Sequence, residues 1–270
     1  MSIICDYHMH TYLCKHAEGL PEEYLKTAYN RGLKTIGFSD HCPVPIGFDE
    51  ESRMNFPDFS KYQHFIHEIQ NNKYGVEVLF GLEVDWVPGR MDEVYDFLKT
   101  FKYDYLIGSV HSLEDYPIDH SGYTHLWNGT EESIDNVWNT YIDLLYDMVD
   151  SGRFDIIGHI DLPKKYGYIL KHKQYFMSKL ELVFKKASGN GIAMELNTAG
   201  LRKPIKEIYP SYEILCLAKK YNVSITFGSD SHSSSQPGKD FDLAEQLAVK
   251  AGFDEYLSIH KNNVKEIVKF

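Results

Sequence analysis

The sequence predicts an α/β fold, a single TIM-like barrel of β-then-α units over residues 1–270. Two observations predict it. Seven short apolar or β-branched runs alternate with seven amphipathic stretches, the signature of a parallel sheet with helices outside it. The 270 residues contain no Gly/Ser/Pro linker and no repeat of 20 to 50 residues, so one domain of barrel size is expected. An open doubly wound sheet is the rival. It usually shows a Gly-rich phosphate loop, and neither G-x-G-x-x-G nor G-x-x-x-x-G-K-[ST] occurs.

The expected strands are Ile3–His8, Thr35–Ser39, Glu77–Glu83, Tyr103–Val110, Asp155–His159, Ile192–Leu196 and Ser224–Gly228. The first expected helix, "LPEEYLKTAYNRGL", has Pro21 near its start, acids in its first turn and Gly32 near its end. The second, "SKYQHFIHEIQNNKYG", spaces Tyr62, Phe65, Ile66 and Ile69 along one face. "MDEVYDFLKTF", "EESIDNVWNTYIDLLYDMVDSG", "KQYFMSKLELVFKKASGNG", "SYEILCLAKKYN" and "DFDLAEQLAVKAG" behave likewise. Two segments fit no element. Residues 42–57 and 113–129 are rich in Pro, Gly, Asp and aromatics, and their length suits substrate loops.

The unusual residues fall at the strand ends. The first strand leads into His8, His10 and His16; the second ends "SDH", with Asp40 and His41; the third ends "GLEVD", with Glu83. "GSVH" supplies His111, "GHID" supplies His159 and Asp161, "MELN" supplies Glu195 and Asn197, and "GSDSH" supplies Asp230 and His232. In barrels and open α/β sheets alike, active sites form at the carboxyl ends of the strands. The alternation in His8-x-His10 and Asp230-x-His232 puts both members on one side of an extended segment. A lone histidine there is usually a hydrogen-bonded loop residue, and a lone Asp a helix cap. Seven of the 13 histidines on one face cannot all be structural without costly burial. Neutral imidazole and carboxylate suit Zn, Mn or Fe, so a divalent metal centre is expected. Of the other six, His64 and His67 read as surface residues of one helix, and His172 and His260 as exposed. His120 and His125 lie in the long fourth loop, within possible reach of a substrate.

Composition narrows the function. The net charge of −11 repels phosphate backbones, which excludes a general nucleic-acid surface. No apolar run approaches the ~18 residues of a membrane span. No basic segment followed by an apolar run opens the chain, and no C-x-x-C pair joins the four cysteines. A cytoplasmic protein with reduced thiols, Cys5 and Cys216 in the core, and no membrane or nucleic-acid partner is expected. The oligomeric state is not legible.

"HMH" with His16, then "SDH", "GLEVD", "GSVH", "GHID" and "GSDSH", resembles as an ordered set the polymerase and histidinol phosphatase (PHP) superfamily across residues 6–232. "GSVHSLEDYPID" and "ELNTAGLRKP" resemble its stand-alone histidinol-phosphate phosphatases, although family members often carry Asp-Gly where this chain has Glu114-Asp115. The resemblance implies a distorted TIM-like (β/α)7 barrel with two to three divalent ions. His8, His10, Glu83 and Asp230 would hold one ion. Glu83, His111 and His159 would hold the second, and His16, His41 and His232 the third. It also implies hydrolysis of L-histidinol phosphate, a step of histidine biosynthesis, by attack of a hydroxide bridging two metals.

Glu83, Asp230 and Arg202 are the expected catalytic groups, Arg202 clamping the phosphate in a bidentate way. Asn197, Tyr116, Trp127 and Glu114 are expected substrate contacts; Glu18 and Asp115 are further loop candidates. Asp40 is expected to orient a neighbouring imidazole, and Asp161 to do so near His159. The rival activities are a phosphodiesterase or nuclease with the same metal site, a non-catalytic polymerase module, and a C–N hydrolase of the amidohydrolase kind. The charge argues against polynucleotides but not against a small diester. A polymerase module would have eroded ligands, and "SDSH" fits the C–N hydrolase pattern poorly.

Overall fold

The computed structural model of the chain describes residues 2–113 and 116–270. Seven parallel strands lie side by side in chain order: β1 (Cys5–Asp6), β2 (Thr35–Phe38), β3 (Glu77–Asp85), β4 (Tyr105–Ser109), β5 (Ile156–Ile157), β6 (Ala193–Asn197) and β7 (Ile225–Gly228). The two edges meet. Tyr7 N donates to Phe227 O at 3.1 Å, Ser231 N to His8 O at 3.1 Å and His10 N to Ser231 O at 2.9 Å. The sheet is therefore a nearly closed barrel, as the alternation predicts.

β1 pairs over only two residues with β2, and β5 over only two residues on each side. The apolar runs Ile3–His8 and Asp155–His159 are longer than these ladders. Beyond the paired residues, His8 and His159 leave the sheet at the mouth, and this is where the barrel departs from regularity.

Around the strands lie α1 (Pro21–Asn30), α2 (Phe59–Gln70), α3 (Met91–Leu98), α4 (Glu131–Asp150), α5 (Gln174–Asn190), α6 (Tyr212–Lys220) and α7 (Phe241–Lys250). Each turns an apolar stripe inward, such as Tyr24, Leu25 and Ala28 of α1 or Leu180, Val183, Phe184 and Ala187 of α5. Inside the barrel the Tyr105 hydroxyl crosses to donate to Tyr7 O at 2.6 Å. Its ring passes over Gly37 and Gly81, where an added Cβ would lie 2.1 and 2.5 Å from tyrosine atoms. Strands β2 and β3 carry glycine there because the ring occupies that space.

A C-terminal hairpin falls outside the expected elements. Glu255–His260 pairs antiparallel with Val264–Lys269, and the turn holds Asn262 and Asn263 at φ +60° and +58°. Asparagine tolerates that region better than most residues. The hairpin crosses the amino ends of the strands. Lys261 N donates to Glu77 Oε1, Asn262 N to Asp104 Oδ1 and Asn263 Nδ2 to Asp155 Oδ1. Tyr7 Oη donates to Ile259 O at 2.9 Å, and Ile259 N donates back to Tyr7 Oη at 2.7 Å. The floor of the barrel is thus closed, and only the carboxyl-end mouth stays open. His260, expected to be exposed, is instead half-buried with Nδ1 2.7 Å from Glu77 Oε2. Among the described residues no helix is long and apolar enough to cross a membrane.

Candidate metal centre

The strand ends converge. Glu83 sits near the end of β3, 1% exposed, and its two oxygens face opposite sets of imidazoles. Oε2 lies 3.3 Å from His8 Nε2, 3.6 Å from His10 Nε2 and 3.1 Å from His41 Nδ1. Oε1 lies 3.0 Å from His159 Nε2 and 3.4 Å from His111 Nε2, and those two nitrogens are 3.1 Å apart. Asp230 Oδ1 is 3.4 Å from His10 Nε2, and His16 Nε2 is 2.9 Å from His232 Nε2. All nine residues expected to bind metal are therefore neighbours at one mouth.

The far nitrogen of most rings is held by protein. His8 Nδ1 meets Glu195 Oε1 at 2.7 Å, His10 Nδ1 meets Asp40 Oδ1 at 3.3 Å and His111 Nδ1 meets Asp85 Oδ1 at 2.8 Å. His16 Nδ1 meets Cys14 O at 2.8 Å, and His232 Nδ1 meets Asp230 O at 3.1 Å. A carboxylate or carbonyl on Nδ1 fixes the proton there and turns the Nε2 lone pair toward the site.

Among the described residues, His8 Nε2, His10 Nε2, His41 Nδ1 and Glu83 Oε2 are buried without a hydrogen-bond partner. Each such group costs about 1–3 kcal/mol if left unmet. Divalent cations fit this donor set, since nitrogen and carboxylate lone pairs at such separations share an ion.

The ionisation pattern agrees. Burial opposes charge on Glu83 and Asp230, yet the facing imidazoles hold both carboxyls well below the usual range. Burial would likewise discharge His10, but Asp230, Asp40 and Glu83 lift it to about 9. His16 goes the other way, down to about 4, through burial and then the nearby His41 and His10. A cation entering the site displaces protons from the first kind of ring and meets a ready lone pair on the second.

Asp230 holds φ +49°, a strained value for a non-glycine residue. Its loop is pinned from β1, where Asp6 accepts from Ser229 N at 2.9 Å, Ser229 Oγ at 2.5 Å and Gly238 N at 2.7 Å. Asp6 and Asp85 lie two residues from His8 and Glu83, on the same side of their strands. That period-two spacing was the available signal for both, and neither was singled out.

Around this floor opens a cavity of about 700 Å³. Phe48, Asp49, Glu51 and Ser52 line it from the connection after β2; Tyr116, Asp119, His120 and Tyr123 line it from the one after β4; Lys165 and Lys203 bring the positive charge. Three of the expected catalytic or substrate-contacting residues do not line this cavity. Arg202 does not line the cavity, because its guanidinium reaches the carbonyls of Thr198, Ser229 and Asp230. Asn197 is fully buried, donating to Glu195 Oε2 at 3.0 Å and accepting from Ala199 N at 2.8 Å. Trp127 is 1% exposed and packs edge-on against Tyr168 at 4.7 Å.

Asp161 pairs with Lys164 at 2.9 Å, while the nearest acid to the His159 backbone is Glu195, whose Oε2 accepts from His159 N at 3.0 Å. Asp40 does orient an imidazole, that of His10 rather than of adjacent His41. Tyr116 lines the cavity; Glu114 and Asp115 lie outside the described residues. Lys165 and Lys203 were missed because a lone lysine in a loop carries no sequence signal. Only the fold turns them to the mouth.

Residues 6–199 match the model of the PHP domain. A probable histidinol-phosphatase of Deinococcus radiodurans is 36% identical over 89% of this chain and 91% of its own. A histidinol-phosphatase of Bacillus subtilis is 29% identical over 86% and 95%. Among solved structures, a Lactococcus lactis histidinol phosphate phosphatase, complexed with Zn, L-histidinol and phosphate, superposes with a TM-score of 0.78 at 23% identity, covering 97% of this chain and 98% of that one. That likeness establishes the barrel. With the PHP domain matched over residues 6–199, more than half of the chain, and a relative above 30% identity, the chain belongs to the PHP domain family.

Proposed function

We propose that the chain is a metal-dependent phosphomonoesterase that hydrolyses L-histidinol phosphate to L-histidinol and phosphate. The observation that carries the metal-dependent chemistry is the set of buried, mutually facing lone pairs on His8, His10, His41 and Glu83 that have no hydrogen-bond partner among the described residues. The relatives named histidinol-phosphatase supply the substrate. Two to three divalent ions, zinc foremost, would be held by His8, His10, Glu83 and Asp230, by Glu83, His111 and His159, and by His16, His41 and His232. When bound, such ions supply Lewis acidity and a nucleophile from water at neutral pH.

The remaining work falls to the chain. Glu195, Asp40 and Asp85 hold three rings in the tautomer that keeps a lone pair on the centre. Lys203 stands at the cavity with no ion pair or side-chain hydrogen bond among the described residues. Burial and nearby Lys165 hold its ammonium below the ordinary range, so a phosphate dianion placed beside it would relieve that cost. Lys165 is steadied by Asp119, 3.3 Å away. The acids Asp49 and Glu51 line the same cavity and complement the cationic alcohol that leaves. Buried free thiols at Cys5, Cys14 and Cys42 suit a reducing, cytoplasmic location.

The test compares phosphate release from L-histidinol phosphate, unrelated sugar phosphates and a bis-ester by the metal-replete protein. A clear preference for L-histidinol phosphate is expected. Equal rates on sugar phosphates would refute the substrate, and faster release from the bis-ester would make this a diesterase.

A further inference from the structure

Arg53 is the most deeply buried arginine of the chain's mouth, 2% exposed on the connection between β2 and α2. A guanidinium is rarely placed there without a set of partners that needs it. Its Nη1 lies 2.8 Å from Asp85 Oδ2 and 3.1 Å from Cys42 O. Its Nε donates to Asp49 O at 3.1 Å, Nη2 reaches Asp49 Oδ2 at 3.2 Å, and its guanidinium carbon stands 4.8 Å from the Phe48 ring centroid. The other oxygen of Asp85 holds His111 Nδ1 at 2.8 Å. Phe48, Asp49, Glu51 and Ser52, the neighbours of Arg53 in sequence, wall the cavity that His111 lines.

We propose that Arg53 is a positioning residue that couples this wall to the metal centre through Asp85 and His111. The proposal rests on the metal-dependent reading above. One side of the guanidinium fixes the backbone and carboxylate of Asp49 and the ring of Phe48. The other side fixes the carboxylate that sets the tautomer of His111. A cation on His111 favours the ring orientation that Asp85 enforces. Asp85 is held by Arg53, and Arg53 by the wall. Ordering at either end therefore favours ordering at the other, and the coupling is reciprocal. The planar fork serves three partners at once; a lysine ammonium supplies the charge but not the geometry.

The test uses the full chain loaded with cobalt(II), and the same chain stripped by chelator. Cleavage by a glutamate-specific protease after Glu50 or Glu51 reads the wall. The visible cobalt spectrum and the cobalt content per chain read the centre. In the unaltered chain, stripping should speed cleavage by about tenfold, the usual scale of coupling between sites. In Arg53→Met, cleavage should be fast with or without cobalt, the cobalt content per chain should fall, the cobalt spectrum should change, and KM for the monoester should rise. Arg53→Lys, which keeps a cation beside Asp85 and guards against global unfolding, should recover cobalt content but not the protection of the wall.

Full cobalt content with metal-dependent protection intact in Arg53→Met would overturn the coupling, as would Arg53→Lys behaving like the unaltered chain in every readout. An unaltered chain that shows metal-dependent protection but releases no phosphate from any monoester would support the coupling and sink the phosphatase reading instead.

Discussion

Glu195→Gln is the sharpest probe of how the centre is held. Glu195 is 1% exposed, and each of its oxygens already accepts: Oε1 from His8 Nδ1 at 2.7 Å, Oε2 from His159 N at 3.0 Å and Asn197 Nδ2 at 3.0 Å. A glutamine has one acceptor oxygen and one NH2. If the NH2 faces His8, the ring must accept at Nδ1 and carry its proton on Nε2, where the lone pair for the metal should be. If it faces His159 N and Asn197 Nδ2, donors meet donors, and each unmet group costs about 1–3 kcal/mol. Neither orientation is satisfied, so the isosteric change is not conservative. Loss of such an orienting partner lowers metal affinity by about 10- to 100-fold. Titrating zinc into the stripped protein against a chromophoric chelator measures it. An affinity within about twofold of the unaltered chain would refute the argument that this carboxylate sets the tautomer of His8.

Gly228→Ala should be more severe, since the added Cβ would lie 1.7 Å from Glu195 Oε1 and 2.7 Å from His8 Cβ; reduced zinc content alongside a lower melting temperature checks it. Arg202→Ala should lower metal affinity with little change in KM once metal is saturating, because Arg202 braces the Ser229 and Asp230 carbonyls rather than a phosphate. A rise in KM with unchanged metal affinity would return it to the substrate. Lys164→Met should destabilise the fold by about 3–5 kcal/mol in urea, since it strips buried Asp161 of its counter-ion at 2.9 Å and leaves it the Ser211 amide at 2.8 Å.

Glu77 gives a pH signature far from the metal. Burial raises its pKa, but hydrogen bonds from His260, the Lys261 amide and Thr35 outweigh that and hold it below the ordinary 4.5. Its stabilising contribution is thus fully present above pH 4.5 and is lost as pH falls through the lower folded value. Glu77→Gln should flatten that part of the acid-unfolding profile, and an unchanged slope would refute the assignment.

The order of the elements and the clustering of the nine strand-end residues were legible because both follow from local chemistry. Strand and helix periods identify the units, and a residue just past a strand end reaches the mouth of a parallel barrel wherever that strand sits. The histidines stood out for the same reason, since no simpler use accounts for so many imidazoles at strand ends. What holds those side chains was not legible. Asp85 reads like any acid in "GLEVD", Arg53 like any loop arginine, and Glu195 like one more strand-end acid. Their roles depend on side chains 32, 26 and 187 residues away in sequence.

Arg202 shows the limit most clearly. Its place after the sixth strand suggested a phosphate clamp, but its direction is set by where the seventh strand's loop passes. Barrel closure brings the carbonyls of Ser229 and Asp230 within its reach, and a half-buried guanidinium takes the acceptors nearest to it. The sequence alone determined which groups gather at the mouth of this barrel. Only the tertiary structure decided which way each one faces, because direction follows from partners that chain closure supplies.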